Sequence, residues 1–210
     1  MIEKFGQSGR FGSIGESLAR EWLLNQGCWI LPASLIDNGG APMLQSKIRD
    51  VILPDLMAGR EKITFWSDVK TKTQAVYFQK LKRFQTGCAL RHIKAYEDVA
   101  QLSGIPASLT FVHLKEQKIF FQWLDVLMLG DPQFCGVKVG KFDEDMVFFG
   151  LERFDWFPID RGKLLNDLKN HSVPPRTCYP WQVGKELPKE KPILTQGLLF
   201  GSTEVWRPPS

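Results

Sequence analysis

Pro54-Asp55, followed after twelve residues by Asp68-Val69-Lys70, places two carboxylates and an ammonium at a spacing that a β-hairpin can close. IRDVILPDL reads as one strand, MAGREK as the turn after it, and ITFWSDVKT as the partner strand. Side chains two apart on a strand share a face, so Asp68 and Lys70 point the same way. Asp55, near the end of the first strand and close to the turn, then comes within reach of Asp68. Two carboxylates converging on one point repel unless a cation lies between them. Mg2+ suits such a place, with Mn2+ as its alternative, because it takes one or two carboxylates, keeps several waters and binds phosphate oxygens. An ammonium alongside can orient a water and offset charge developing on a phosphate.

Each residue also has an ordinary reading. Asp favours turns, which would account for Asp55 at a strand end. Lys70 has a lesser ordinary reading as an edge-strand gatekeeper. Asp68 is harder to dismiss, since it follows Ile63-Thr64-Phe65-Trp66-Ser67, a β-rich run in which Asp is disfavoured. Asp50, five residues before Asp55, falls on the opposite face of a regular strand and is read as structural or solvated.

The elements that must position these residues are read from periodicity. Glycines at 6, 9, 12 and 15 imitate a nucleotide loop, but no strand precedes them and no GK[ST] follows, so they read as a flexible lead-in. Ser13 is the expected N-cap of the first helix, with Glu16 as its capping-box partner. Ile14, Leu18, Trp22 and Leu23 recur at helical spacing, and Gly27 ends the helix. CWILPASL is a short strand and DNGGAP a loop. A helix is expected from about Val76 to Phe84, and a longer one from about Leu90 to Leu102 with Ile93, Tyr96, Val99 and Ala100 on its apolar side. SLTFVHL and KIFFQWLDVL read as two further strands.

The order helix, three strands with the motif on the second and third, helix, strand resembles the PD-(D/E)XK nuclease superfamily, over roughly residues 10 to 125. These are the restriction-endonuclease-like proteins that include Holliday-junction resolvases. The resemblance implies an α/β fold with a mixed central sheet flanked by helices, and a nuclease cutting phosphodiester bonds, most readily in DNA. It implies that Asp55, Asp68 and the Val69 carbonyl hold the metal and that Glu16, early on the first helix, completes the set. Lys70 would position the attacking water, and the products would carry 5′-phosphate and 3′-hydroxyl ends. Asp68 stands where Glu is commoner. Gln79 falls on the helix after the motif, where some members carry a supporting Gln, although an exposed helix position is the better account of it. His92 and Tyr96, one turn apart, can reach substrate phosphate or simply pack.

Charge agrees with an anionic substrate. Between positions 60 and 94 nine basic residues face two acids, Glu61 and Asp68, a net of +7 against +4 for the whole chain. Lys72, Lys80, Lys82, Arg83 and Arg91 are the expected nucleic-acid contacts, with a solvated face as the ordinary reading. Nothing approaches the ~20 apolar residues of a membrane helix, and the first ten residues hold no secretory signal. Cys28, Cys88, Cys135 and Cys178 include no CxxC pair and read as thiols of a reducing compartment, so a cytoplasmic location is expected. His92, His113 and His171 are too scattered for a zinc motif. Residues 1–150 form the expected nuclease-like core. Residues 151–210, with eight of the thirteen prolines and Trp156, Trp181 and Trp206, form an extension that packs on the core or binds a partner. Cutting two strands at once would favour a two-fold homodimer. The rival readings are a non-catalytic nucleic-acid-binding module on the same fold and an interaction protein working through its aromatic tail.

Overall fold

The structure is a computed structural model and describes residues 2–33, 42–139, 142–159 and 162. The elements in chain order begin with α1 (Ile2–Asn25), β1 (Trp29–Pro32), β2 (Met43–Leu44), β3 (Val51–Ile52), β4 (Leu56–Arg60) and β5 (Ile63–Lys72). They continue with β6 (Val76–Phe78), β7 (Arg83–Ala89), α2 (Leu90–Ser103), β8 (Ala107–His113), β9 (Lys118–Trp123) and α3 (Leu124–Leu129). The last are β10 (Gln133–Val139), β11 (Phe142–Gly150), a 3-10 turn (Leu151–Arg153) and β12 (Asp155–Pro158).

Six strands form the central sheet in the order β1-β4-β5-β8-β9-β12. β5 and β8 run parallel, and every other neighbouring pair is antiparallel. Alternation along β5 explains why the sheet is covered on both faces. Phe65 and Val69 join Ile14, Leu18 and Leu23 of α1 in one core. Trp66 joins Ile93, Tyr96 and Val99 of α2 in the other. Phe65 and Phe111, each fully buried, contribute about 2–3 kcal/mol apiece by that burial. The architecture is the mixed central sheet with flanking helices expected from the sequence.

A second sheet, β10-β11-β7-β6, lies on the α2 side. Its Cys88, Val147 and Phe149 share the α2-side core with Phe111 and Phe120. This corrects the helix expected over 76–84: Val76–Phe78 and Arg83–Ala89 are the arms of a hairpin, and Gln79 is an exposed turn residue. The hairpin is anchored at its far end, where β7 continues from Arg83 into Gln85–Ala89 and pairs with β11 from Gly150↔Gln85 to Met146↔Ala89. The β10-β11 hairpin had no counterpart in the sequence reading. KIFFQWLDVL also divides, with Lys118–Trp123 a strand and Leu124 opening α3. The chain then passes through the turn with Phe154 buried and adds β12 beside β9. Trp181 and Trp206 lie outside the described residues, as does DNGGAP up to Ala41.

Two corrections bear on the site. α1 begins at Ile2, so Ser13 lies within the helix rather than at its N-cap, and the glycines at 6, 9, 12 and 15 are helical rather than a flexible lead-in. Gly15 is required by contact: a Cβ there would stand 1.9 Å from Thr71 Oγ1, and the same hydroxyl donates to the Gly12 carbonyl at 3.3 Å. Secondly, the strand before the motif is Leu56–Arg60, not residues 48–56, and the reversal sits at Glu61 and Lys62. Gly59 reads as a turn residue but serves as a floor for Trp29, whose Cζ2 would be 2.4 Å from any Cβ added there. Asp50 is exposed and outside any strand, so its parity argument lapses.

Candidate active site

The ladder between β4 and β5 ends at the Leu56↔Ser67 pair. Asp55 lies one residue before β4, at the end of the hairpin away from the turn, the reverse of the expected placement. Its side chain takes over the next donor on β5: Val69 N–H donates to Asp55 Oδ2 at 2.7 Å. The Asp55 backbone carbonyl accepts from Ala33 N–H at 2.9 Å, which fixes the residue from its other side. A carboxylate thus caps a strand ladder one residue from Asp68.

Asp68 is 1 % exposed. Lys70 Nζ donates to Asp68 Oδ1 at 2.9 Å and lies 2.8 Å from Oδ2. Tyr96 of α2 donates its hydroxyl to the same Oδ1. The Tyr96 oxygen also accepts from Lys70 Nζ at 3.3 Å and lies 3.3 Å from His92 Nδ1. A buried tyrosine needs a partner for its hydroxyl, and here that partner is the motif carboxylate. The helical spacing of His92 and Tyr96 was legible from the sequence, but the link to Asp68 was not.

The field of the site follows from this crowding. Burial and the neighbouring Asp68 push the Asp55 carboxyl up to about 7, against the pull of Lys70 and the Val69 amide. Burial holds His92 below its usual value, and the Lys70 charge adds to that. Lys70 is raised: burial lowers it, but Asp68 and Asp55 together outweigh that effect. Glu16 contributes a smaller upward push on Asp55, so it belongs to the same electrostatic neighbourhood. Its own side chain is paired with Arg20 at 3.3 Å, one helical turn on.

The expected nucleic-acid contacts separate into two sets. Arg83 is held by Glu152 at 3.1 Å and Asp131 at 3.9 Å, and Arg91 is paired with Glu144. Lys80 and Lys82 are exposed on the β6-β7 turn. Lys72 continues the Asp68 and Lys70 row along β5, with Nζ 6.0 Å from the Phe111 ring centroid.

Opposite Lys72 in the β5-β8 ladder lies His113, fully buried, with Nε2 3.0 Å from Thr86 Oγ1 and Nδ1 3.6 Å from Glu116 Oε2. Burial, helped by Lys72, lowers its pKa from 6.5 to about 3. A depressed folded value means that its contribution to stability is complete above pH 6.5 and is lost as the pH falls toward 3. At pH 5 the loss is about 2 kcal/mol. Urea unfolding of the parent and His113→Gln from pH 7 to 5 is expected to show the parent losing that much more. Glu116, raised by its own burial, is common to both chains and largely cancels. Parallel profiles would remove His113 as the acid-sensitive group.

No family model matches the chain, and no curated protein matches it in sequence. Among solved structures it is similar to Hjc, a Holliday junction resolvase from the archaeal hyperthermophile Archaeoglobus fulgidus. That similarity is at 11% identity and a TM-score of 0.42, over 68% of this chain and 86% of that one. It is also similar to D212, a nuclease from a fusselovirus, at 9% identity and a TM-score of 0.39, over 80% of this chain and 93% of that one. Both scores are under 0.5, and the strand order and site geometry above stand independently of them. Among the described residues no helix is long and apolar enough to cross a membrane.

Proposed function

We propose that this chain is a metal-dependent nuclease of restriction-endonuclease-like type that hydrolyses phosphodiester bonds, with DNA as the favoured substrate. One observation carries the reading. Where the β4-β5 ladder stops, Asp55 reaches across to the Val69 amide, so that two carboxylates and Lys70 meet at one break in the sheet.

The residues fit a hard cation. Asp55 is driven toward protonation by burial and by Asp68, and a divalent ion would relieve both penalties. Among the described residues no group of three or more His, Cys, Asp or Glu side chains could hold a metal. The two motif carboxylates fit Mg2+ or Mn2+, which take one or two carboxylates and keep their waters. Asp55, Asp68 and the Val69 carbonyl would hold the ion, with Glu16 completing the set once released from Arg20. When bound, such an ion polarises the phosphate and makes a coordinated water more acidic.

The protein's own groups supply the rest. The Lys70 ammonium can hold the attacking water and offset charge on the phosphate. Tyr96, bonded to both Asp68 and Lys70, fixes their mutual orientation. Lys72, next along the same face of β5, offers a charge for the flanking phosphate. Products with 5′-phosphate and 3′-hydroxyl ends are expected.

One observation favours a second reading. Lys70 and Tyr96 already engage Asp68 Oδ1, as they would in a binding module that never takes a metal, although Oδ2 has only the Lys70 charge beside it and no hydrogen bond among the described residues. Incubation with duplex, single-stranded and branched DNA and RNA, in Mg2+, Mn2+ or EDTA, separates the two. Cleavage in either metal and none in EDTA is expected. Gel shifts without cleavage under every metal would leave the binding module.

A further inference from the structure

The β6-β7 hairpin has work to do that the cation-phosphate reading of its lysines does not absorb. β6 and β7 pair from Val76↔Gln85 to Phe78↔Arg83, and Gln79 to Lys82 form the loop, closed by the Lys82 N–H to Gln79 carbonyl bond at 3.2 Å. Phe78 and Leu81 are 41% and 37% exposed at this tip. Lys80 and Lys82 beside them are exposed and have no ion pair among the described residues. No acidic residue occurs between Asp68 and Glu97. The root below the tip is fixed: Tyr77 and Phe84 stack edge to face with centroids 5.1 Å apart, and Arg83 is tied to Glu152 and Asp131. The tip is a braced finger carrying an aromatic ring, an aliphatic side chain and two unpaired cations.

We propose that this finger contacts unpaired nucleotides, with Phe78 stacking on an exposed base and Lys80 and Lys82 on the adjacent phosphates. This rests on the nucleic-acid reading of the site and narrows its substrate to forked, flapped or single-stranded nucleic acid. The chemistry selects the occupant. A continuous duplex presents phosphates outward and keeps its bases stacked, so it offers Lys80 and Lys82 a partner but offers Phe78 none. An unpaired strand offers both, since every base has a face for an aromatic ring. Position agrees as well. β7 leads from the tip to Cys88, whose thiol is raised by burial and by the Asp68 charge. Five residues at ~3.3 Å separate Arg83, at the foot of the tip, from Cys88, about 17 Å along β7.

The test measures binding by fluorescence anisotropy in EDTA, so that cleavage does not intervene. It compares a blunt duplex, an oligo-dT strand and a fork with unpaired arms. Phe78→Ala is expected to weaken the single strand and the fork about ten-fold while changing the duplex less than two-fold. Phe78→Trp is expected to restore the loss. Lys80→Gln with Lys82→Gln is expected to weaken all three and to lower the salt dependence of each. Equal effects of Phe78→Ala on all three probes, or none on any, would overturn the finger. So would Phe78-dependent binding to vesicles of mixed neutral and anionic phospholipid with no effect on nucleic acid. A parent chain that cuts its substrate while Phe78→Ala is silent sinks only this inference. A parent that binds forks through Phe78 but never cuts them sinks only the nuclease reading.

Discussion

Asp68→Asn is expected to slow single-turnover cleavage by on the order of a thousandfold or more, the scale of losing several kcal/mol of metal-borne stabilisation. The substitution keeps the side chain's size and leaves an amide oxygen for the Tyr96 hydroxyl, so the packing around α2 survives. What disappears is the charge. Magnesium affinity should fall with it, whereas affinity for nucleic acid should hold or rise, because a negative group beside the phosphate has been removed. Asp50→Asn, at an exposed position outside any strand, is the control and should cut at the parent rate. An Asp68→Asn chain that cuts as fast as the parent would show that the chemistry is done elsewhere.

Lys70→Met should also remove cleavage, by another route and with an added cost to folding. Asp68 is 1 % exposed, and Lys70, with its side chain 24% exposed, is the cation beside it. Removing one partner leaves a charge in a nearly dry site, which for a fully buried pair costs 3–5 kcal/mol, so about 2–3 kcal/mol is expected here after allowing for solvent reaching Lys70. Two further measurements separate the pair from the chemistry. Asp68→Asn combined with Lys70→Met should recover most of the lost stability while remaining inactive. Millimolar magnesium should raise the melting temperature of Lys70→Met alone, since both carboxylates are still present. If Lys70→Met cleaves at the parent rate, Lys70 has no part in positioning water. If it loses no stability, the ion pair is not what holds Asp68 in the sheet.

How much of this was legible depended on whether a residue's reason was local. β5 could be read because Phe65, Trp66 and Val69 alternate between two cores, and α2 because Ile93, Tyr96 and Val99 repeat at helical spacing before Gly104, which closes the helix at a φ of 69°. β4 was misplaced because Gly59 signals a turn in one dimension, while in space it makes room for the ring of Trp29. The 76–84 segment was misread because Val76, Leu81 and Phe84 suit a helix. It closes instead as a hairpin, Val76↔Gln85 to Phe78↔Arg83, whose second strand runs on through Gln85–Ala89 to pair with residues about sixty positions later, which no local pattern carries. At the site, parity anticipated that Asp68 and Lys70 share a face, but Asp55 reaches them from the end of the ladder away from the turn, not from beside it. The Val69 amide and the Tyr96 hydroxyl could not be anticipated, because each is a partner chosen by the fold.

The bare backbone of Gly15 against Thr71 has a consequence for how this chain tolerates change in length. Glu16 touches neither Asp55 nor Asp68 in any described bond; it comes within electrostatic reach of Asp55 because the residue before it is seated on β5. A helix turns about 100° per residue, so one residue inserted or deleted between Gly15 and Leu23 sets two demands against each other. Either Gly15 keeps its seat and Trp22 and Leu23 swing out of their core, or the core is kept and a side chain meets Thr71 while Glu16 turns to another quarter of the helix. Conservative replacements within Ile14–Leu23 leave that relation intact. The span behaves as a ruler of fixed length, and the acid at its end is placed by counting rather than by recognition.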